Sequence, residues 1–173
     1  MTQCNFCHGR YTCPKHRDKV RIDIGGGLTP EYGFESVDIS VGIDVEKFGL
    51  PYYNDSVDEI WTSHFLEHIL DASIPFVFGE MARVIKPGGV ITINVPNLEQ
   101  ACKDFIAASE EEKWGFPLVK LFGLQHGDGQ VHKTGYTAAR LTKILESVGL
   151  SVVNYDDHYN SHGQTCILMY ATK

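Results

Sequence analysis

Three groups of residues in this chain combine side-chain types and spacings that can do chemistry. The first is Cys4, Cys7, Cys13 and His16, a C-x2-C-x5-C-x2-H array at the N-terminus. Paired thiolate and imidazole donors suit tetrahedral zinc, because each pair chelates from one turn and the loop between them folds back. Four protein ligands leave no open position, so such a zinc would be structural. His8 can take the place of His16, and the alternative is a set of free thiols on an N-terminal arm.

The second group lies in Val20 to Asp38, VRIDIGGGLTPEYGFESVD. An apolar run ends in Gly25, Gly26 and Gly27, and the next apolar run closes on Asp38. Glycine lets backbone approach a ligand that a Cβ would push away. An acid at the tip of the following strand can accept from both ribose hydroxyls, which together make a nucleoside site. Asp23, inside the first run, is costly to bury unless it is bonded. It either bonds to the amides of the glycine loop or faces a ligand amine.

The third group is made of bases: His64, His126, His132 and Tyr136. The stretch QHGDGQVHKTGY places two imidazoles and a tyrosine between glycines, as a lid over a substrate would. A flexible surface loop is the plain alternative.

The elements that must position these groups follow from periodicity and breakers. Val20 to Gly25 and Glu35 to Ile39 read as strands joined by a connection too short for a crossover helix. Ser40 to Phe48 reads as an irregular or very short strand, with Asp44 facing the nucleoside site. Val57 to Phe65 reads as a buried strand and Ser73 to Lys86 as a helix stopped by Pro87, Gly88 and Gly89. Val90 to Val95 is a further strand, and Asn97 caps a helix through Phe105. Trp114 to Tyr136 reads as a long loop, Thr137 to Gly149 as a helix, and Ser151 to His158 with Thr165 to Thr172 as a hairpin.

Composition sets bounds. A chain of 173 residues fits one domain, with residues 1–18 as an arm and 19–173 as the folded part. A net charge of −7 argues against bare nucleic-acid backbone as a partner, since that task needs a basic face. Five cysteines without a secretion leader point to thiols or metal ligands in the cytoplasm, and no apolar run is long enough to enter a membrane.

RIDIGGG, the acid of SVDIS, LPYYNDSVDEIWTSHFLEHI and EMARVIKPGGVITINVPN together resemble a class I S-adenosylmethionine-dependent methyltransferase, closest to the short type 11 branch. The resemblance runs from about Val20 to the C-terminus. It implies an α/β, Rossmann-like, mostly parallel sheet with an antiparallel C-terminal strand, and S-adenosylmethionine as cofactor. It also implies that Gly25 and Gly27, with Gly26, shape the loop under the cofactor. Asp23 would face its methionine amine, Asp38 its ribose and Asp44 its adenine, while Ser63 and His64 line the methionine end.

The reading that follows is methyl transfer to a small-molecule or glycan-type acceptor. A non-catalytic module of the same fold, binding the cofactor or a partner, stays open. A nicotinamide-dependent oxidoreductase is disfavoured, because GGGLTP lacks the G-x-G-x-x-G register.

Overall fold

The computed structural model describes residues 19–173, so Cys4, Cys7, Cys13 and His16, with the arm that carries them, lie outside the described residues. Six strands, β1 (Arg21–Ile24), β2 (Glu35–Val37), β3 (Val57–Ser63), β4 (Ile85–Pro96), β5 (Ser151–Ser161) and β6 (Gln164–Thr172), form one sheet in the order β2-β1-β3-β4-β6-β5. The neighbours from β2 to β4 pair in parallel, and β6 is antiparallel to both β4 and β5. This is the expected Rossmann-like layout.

Burial explains the central strands. Ile22 and Ile24 of β1 and Ile91, Ile93 and Val95 of β4 are fully buried, as strands covered on both faces require. Helices α2 (Ile74–Val84) and α5 (Ala138–Ser147) pack together and add Val77, Phe78, Met81, Leu141 and Leu145 to the same core. Pro75 sits in the first turn of α2, where its missing N–H costs nothing. The oxygens of Thr137 and Asn97 cap α5 and α3 (Leu98–Ala107) by accepting from the amides of Arg140 and Gln100. The β5–β6 hairpin turns on His162 and Gly163, both at positive φ, which matches the twist of the flanking strands.

Several expectations need correction. Residues 45–48 are not a strand but a short helix, α1 (Val45–Phe48), started by the Asp44 carboxylate accepting from the Lys47 amide. The span 114–136 is not one loop, because it contains α4 (Phe116–Phe122), which pairs with α3. Parts of that span are tied to the rest of the fold. A bridge between Gly123 and Val131 closes it, Lys133 and Thr134 donate to the Glu67 carbonyl, and Tyr136 is buried. The connection from β1 to β2 contains no helix, as its length requires. Among the described residues no helix is long and apolar enough to cross a membrane.

Candidate functional site

The chain leaves β1 towards β2 on one side and later returns to β3 on the other. That reversal opens a crevice at the carboxyl ends of the strands, the usual ligand position in an α/β sheet. A cavity of about 370 Å³ lies there, lined by Gly25 after β1, Asp38 after β2, Asp44 before α1, and His64, Phe65 and His68 after β3. Ile39, Ile43 and Ile69 supply apolar walls, and Glu46, Gly129 and Lys133 complete the rim. The volume is in the range of small-ligand sites. A groove of about 470 Å³ along α5 is larger but comes from one helix and holds no strand end.

Each strand end places its residue by local bonding. Gly25, at φ +83°, turns the backbone sharply and donates its amide to the Val37 carbonyl at 2.9 Å, which ties the ends of β1 and β2 together. Gly27, also at positive φ, accepts from the Ser36 hydroxyl at 2.6 Å and has open space where a Cβ would be. Asp38 Oδ1 accepts from the Ser40 amide at 2.7 Å, which anchors the carboxylate at the rim. Asp44 is held in the same way by its cap on α1. Two carboxylates between apolar walls and above a bare glycine backbone fit an adenosine moiety: acceptors for hydroxyls and an amine, and surface to flank a base.

The remaining expected residues fall in different places. Asp23 is 4% exposed, and its Oδ2 accepts from the Glu31 amide at 2.8 Å, within the loop that Gly25 to Gly27 begin. Burial raises its carboxyl above the usual range, partly offset by that backbone bond. Gly26 lies against it, since a Cβ there would meet Asp23 Oδ2 at 2.7 Å. Neither residue lines the cavity, so the structure favours the loop-bonding role for Asp23 in this state. Ser63 accepts from Asn94 Nδ2 at 2.9 Å and also sits behind the lining.

His64 lines the cavity in a left-handed conformation, φ +52°, that non-glycine residues seldom hold outside constrained sites. Its Nδ1 lies 3.3 Å from Glu67 Oε1 and its Nε2 lies 3.2 Å from Ser161 Oγ. His132 is half-buried behind His68, and desolvation pushes its imidazole below the usual value, with the Glu67 carboxylate acting in the opposite direction. His126 is exposed at the rim of the loop and does not line the cavity. Tyr136 is wholly buried, donates to the Leu66 carbonyl at 3.2 Å, and is held far above the ordinary phenol range by burial. Tyr136 therefore stays protonated and belongs to the core, not to proton transfer.

Sequence reasoning passed over Phe65 and Glu67. Phe65 packs on Gly25, and Glu67, 2% exposed, is a carboxylate inside the core. A carboxylate between the apolar Leu66 and the His68–Ile69 pair was the available signal. Cys166, with Sγ 3.8 Å from His64 Nε2, is buried, and burial pushes its thiol up to about 12.

Residues 24–93 match the family model described as a methyltransferase domain. The methyltransferase GfsG of Streptomyces halstedii is 32% identical over 134 residues, a match that covers 75% of this chain and 42% of that protein. This chain thus spans less than half the length of that curated relative. Among solved structures, a SAM-dependent methyltransferase of Methanosarcina mazei superposes with a TM-score of 0.61 at 14% identity, over 90% of this chain and 92% of that one. The 1,6-didemethyltoxoflavin-N1-methyltransferase of Burkholderia thailandensis, solved with its substrate and S-adenosylhomocysteine, gives 0.56 at 13%, over 91% and 72%.

Proposed function

We propose that this chain, which belongs to the class I S-adenosylmethionine-dependent methyltransferases, moves a methyl group to a small-molecule or glycan-type acceptor. The observation that carries the proposal is the convergence of Gly25, Asp38, Asp44 and His64 on one cavity at the strand ends. When bound there, S-adenosylmethionine supplies an electrophilic methyl group on a sulfonium sulfur. The apolar walls flank the base, Asp38 accepts from the ribose hydroxyls and Asp44 from the adenine amine.

Methyl transfer gains most from alignment, which can supply roughly 7 to 11 kcal/mol of the barrier. The acceptor lone pair forms the new bond to carbon as the sulfur–carbon bond breaks, and a hydroxyl acceptor must then lose its proton. His64 is a base that lines the cavity, and the buried Glu67 beside its Nδ1 orients the ring. Glu67 is a positioning residue in this scheme. The N-terminal Cys4, Cys7, Cys13 and His16 hold a structural zinc, as suits a reducing cytoplasmic compartment.

The test is label transfer from methyl-labelled cofactor to a panel of small alcohols, phenols and glycosides, with formation of S-adenosylhomocysteine measured alongside. Transfer by the wild-type chain and its loss in Asp38→Ala is the expected result. Tight binding of S-adenosylhomocysteine with no transfer to any acceptor would favour the non-catalytic module instead.

A further inference from the structure

The run His64-Phe65-Leu66-Glu67-His68 places a carboxylate deep beside the cavity. Glu67 is 2% exposed, and neither carboxylate oxygen has a hydrogen-bond partner among the described residues. Buried charges persist where they are paired or coordinate a metal. The His64 ring is one neighbour, at 3.3 Å from Oε1. Two further imidazoles, His68 and His132, bring donor atoms that lie with a Glu67 oxygen within 4.8 Å of one another.

The geometry points to a divalent cation of the zinc class bound by Glu67, His68 and His132. Two imidazoles and one carboxylate are a common donor set for zinc with an open position. A tetrahedral ion with bonds near 2.0 Å needs donors about 3.4 Å apart. Side-chain torsions alone can bring these three together by the remaining ångström or so.

The surroundings prepare each donor. His68 Nδ1 lies 2.9 Å from the Val131 carbonyl, so that nitrogen carries the proton and Nε2 keeps its lone pair. A carbonyl holding the second nitrogen is how metal-binding histidines are commonly oriented. The His132 ring stands edge-on to the His68 ring, with centroids 5.1 Å apart. The two segments are fastened to each other: the amides of Lys133 and Thr134 donate to the Glu67 carbonyl at 2.7 and 3.2 Å, and the His132 amide to the Phe122 carbonyl at 3.1 Å. The segments that carry the donors are therefore held beside each other.

Three protein ligands leave a coordination position for water or an acceptor oxygen. Because His68 also lines the cavity, that position serves a hydroxyl or enol acceptor, whose proton becomes easier to remove once its oxygen is bound. This last role rests on the methyltransferase reading; metal binding itself does not.

The test titrates the chelator-treated full chain with Co²⁺. Thiolates of the N-terminal array give near-ultraviolet charge-transfer bands that the Glu67, His68 and His132 site lacks, and the visible bands of the latter site are read as the difference between the wild-type chain and His132→Gln. The wild-type chain is expected to take up about one equivalent of Co²⁺ more than His132→Gln, with the near-ultraviolet bands unchanged. Acetohydroxamate is expected to shift the visible bands, because it occupies the open position. Far-ultraviolet circular dichroism confirms that His132→Gln folds, and His68→Gln provides the second variant. Equal cobalt content in the wild-type chain and both folded variants would overturn the site. Visible bands unmoved by hydroxamate would overturn the acceptor role. Affinity for S-adenosylhomocysteine, measured on the same samples, fails only if the cofactor reading fails.

Discussion

The ring of Phe65 fills the space that a side chain on Gly25 would need: a Cβ there would lie 2.7 Å from Phe65 Cδ2. The glycine loop after β1 and the chain leaving β3 thus fix each other on the floor of the cavity. Gly25 also has φ +83°, so conformation and space both require glycine.

Gly25→Ala is therefore expected to destabilise the fold by about 1 to 3 kcal/mol, the range for a strained backbone position. Urea unfolding measures it. Adding Phe65→Ala should not recover the loss, because Phe65 Cβ, which alanine keeps, is itself among the atoms in the way, and wild-type stability of the single variant would contradict the packing described.

Asp38 is the carboxylate expected to matter most for cofactor affinity. Losing an ionised acceptor costs about 1.5 to 3 kcal/mol, or roughly 10- to 150-fold in Kd. Calorimetry of Asp38→Ala with S-adenosylhomocysteine reads this directly. Unchanged affinity would remove Asp38 from the site.

Asp23 carries a pH prediction. Burial raises its folded pKa above the unfolded value, so the folded chain holds this proton to higher pH than the unfolded chain. Its contribution to stability is then greatest below the unfolded pKa and declines as pH rises through the folded one. Asp23→Asn keeps an oxygen for the Glu31 amide and removes the buried charge. The variant should unfold at equal or higher urea concentration than wild type at pH 7, and at the same concentration or lower in acid. A variant less stable at pH 7 would show that the charge has a partner in the fold.

His64 and His126 should separate cleanly. His64→Ala is expected to cut turnover by 10²- to 10⁴-fold, the usual cost of a lost base. The exposed His126 should change stability by no more than about 0.5 kcal/mol when replaced by alanine, with turnover retained. Equal losses of turnover in the two variants would return the proton-transfer role to the 123–131 loop.

Tyr136→Phe tests the core assignment. Removing the hydroxyl that donates to the Leu66 carbonyl should cost about 0.5 to 1.5 kcal/mol of stability. The pH profile of turnover should not move, because a phenol held this high does not titrate in the working range. A shifted profile would put Tyr136 back among the bases.

Local pattern alone determined most of the elements. The isoleucines of β1, the one-sided apolar face of α2, the caps at Asn97 and Thr137, and the His162–Gly163 turn are each specified by neighbours within a few residues, whereas α2 ends at Val84 and Pro87, Gly88 and Gly89 lie inside β4 instead of stopping the helix. The glycines and Asp38 were legible for the same reason, since turn conformation and strand ends are short-range properties. Tertiary structure decided what depends on distant partners. Helix α1 is too short to show a period, and α4 has a face only because α3 covers it. Whether Asp23 turns to its own loop or to a ligand is set by the Glu31 amide. The meeting of Glu67 and His68 with His132 arises because backbone bonds draw residues 133 and 134 onto Glu67, across a separation along the chain that no local periodicity encodes.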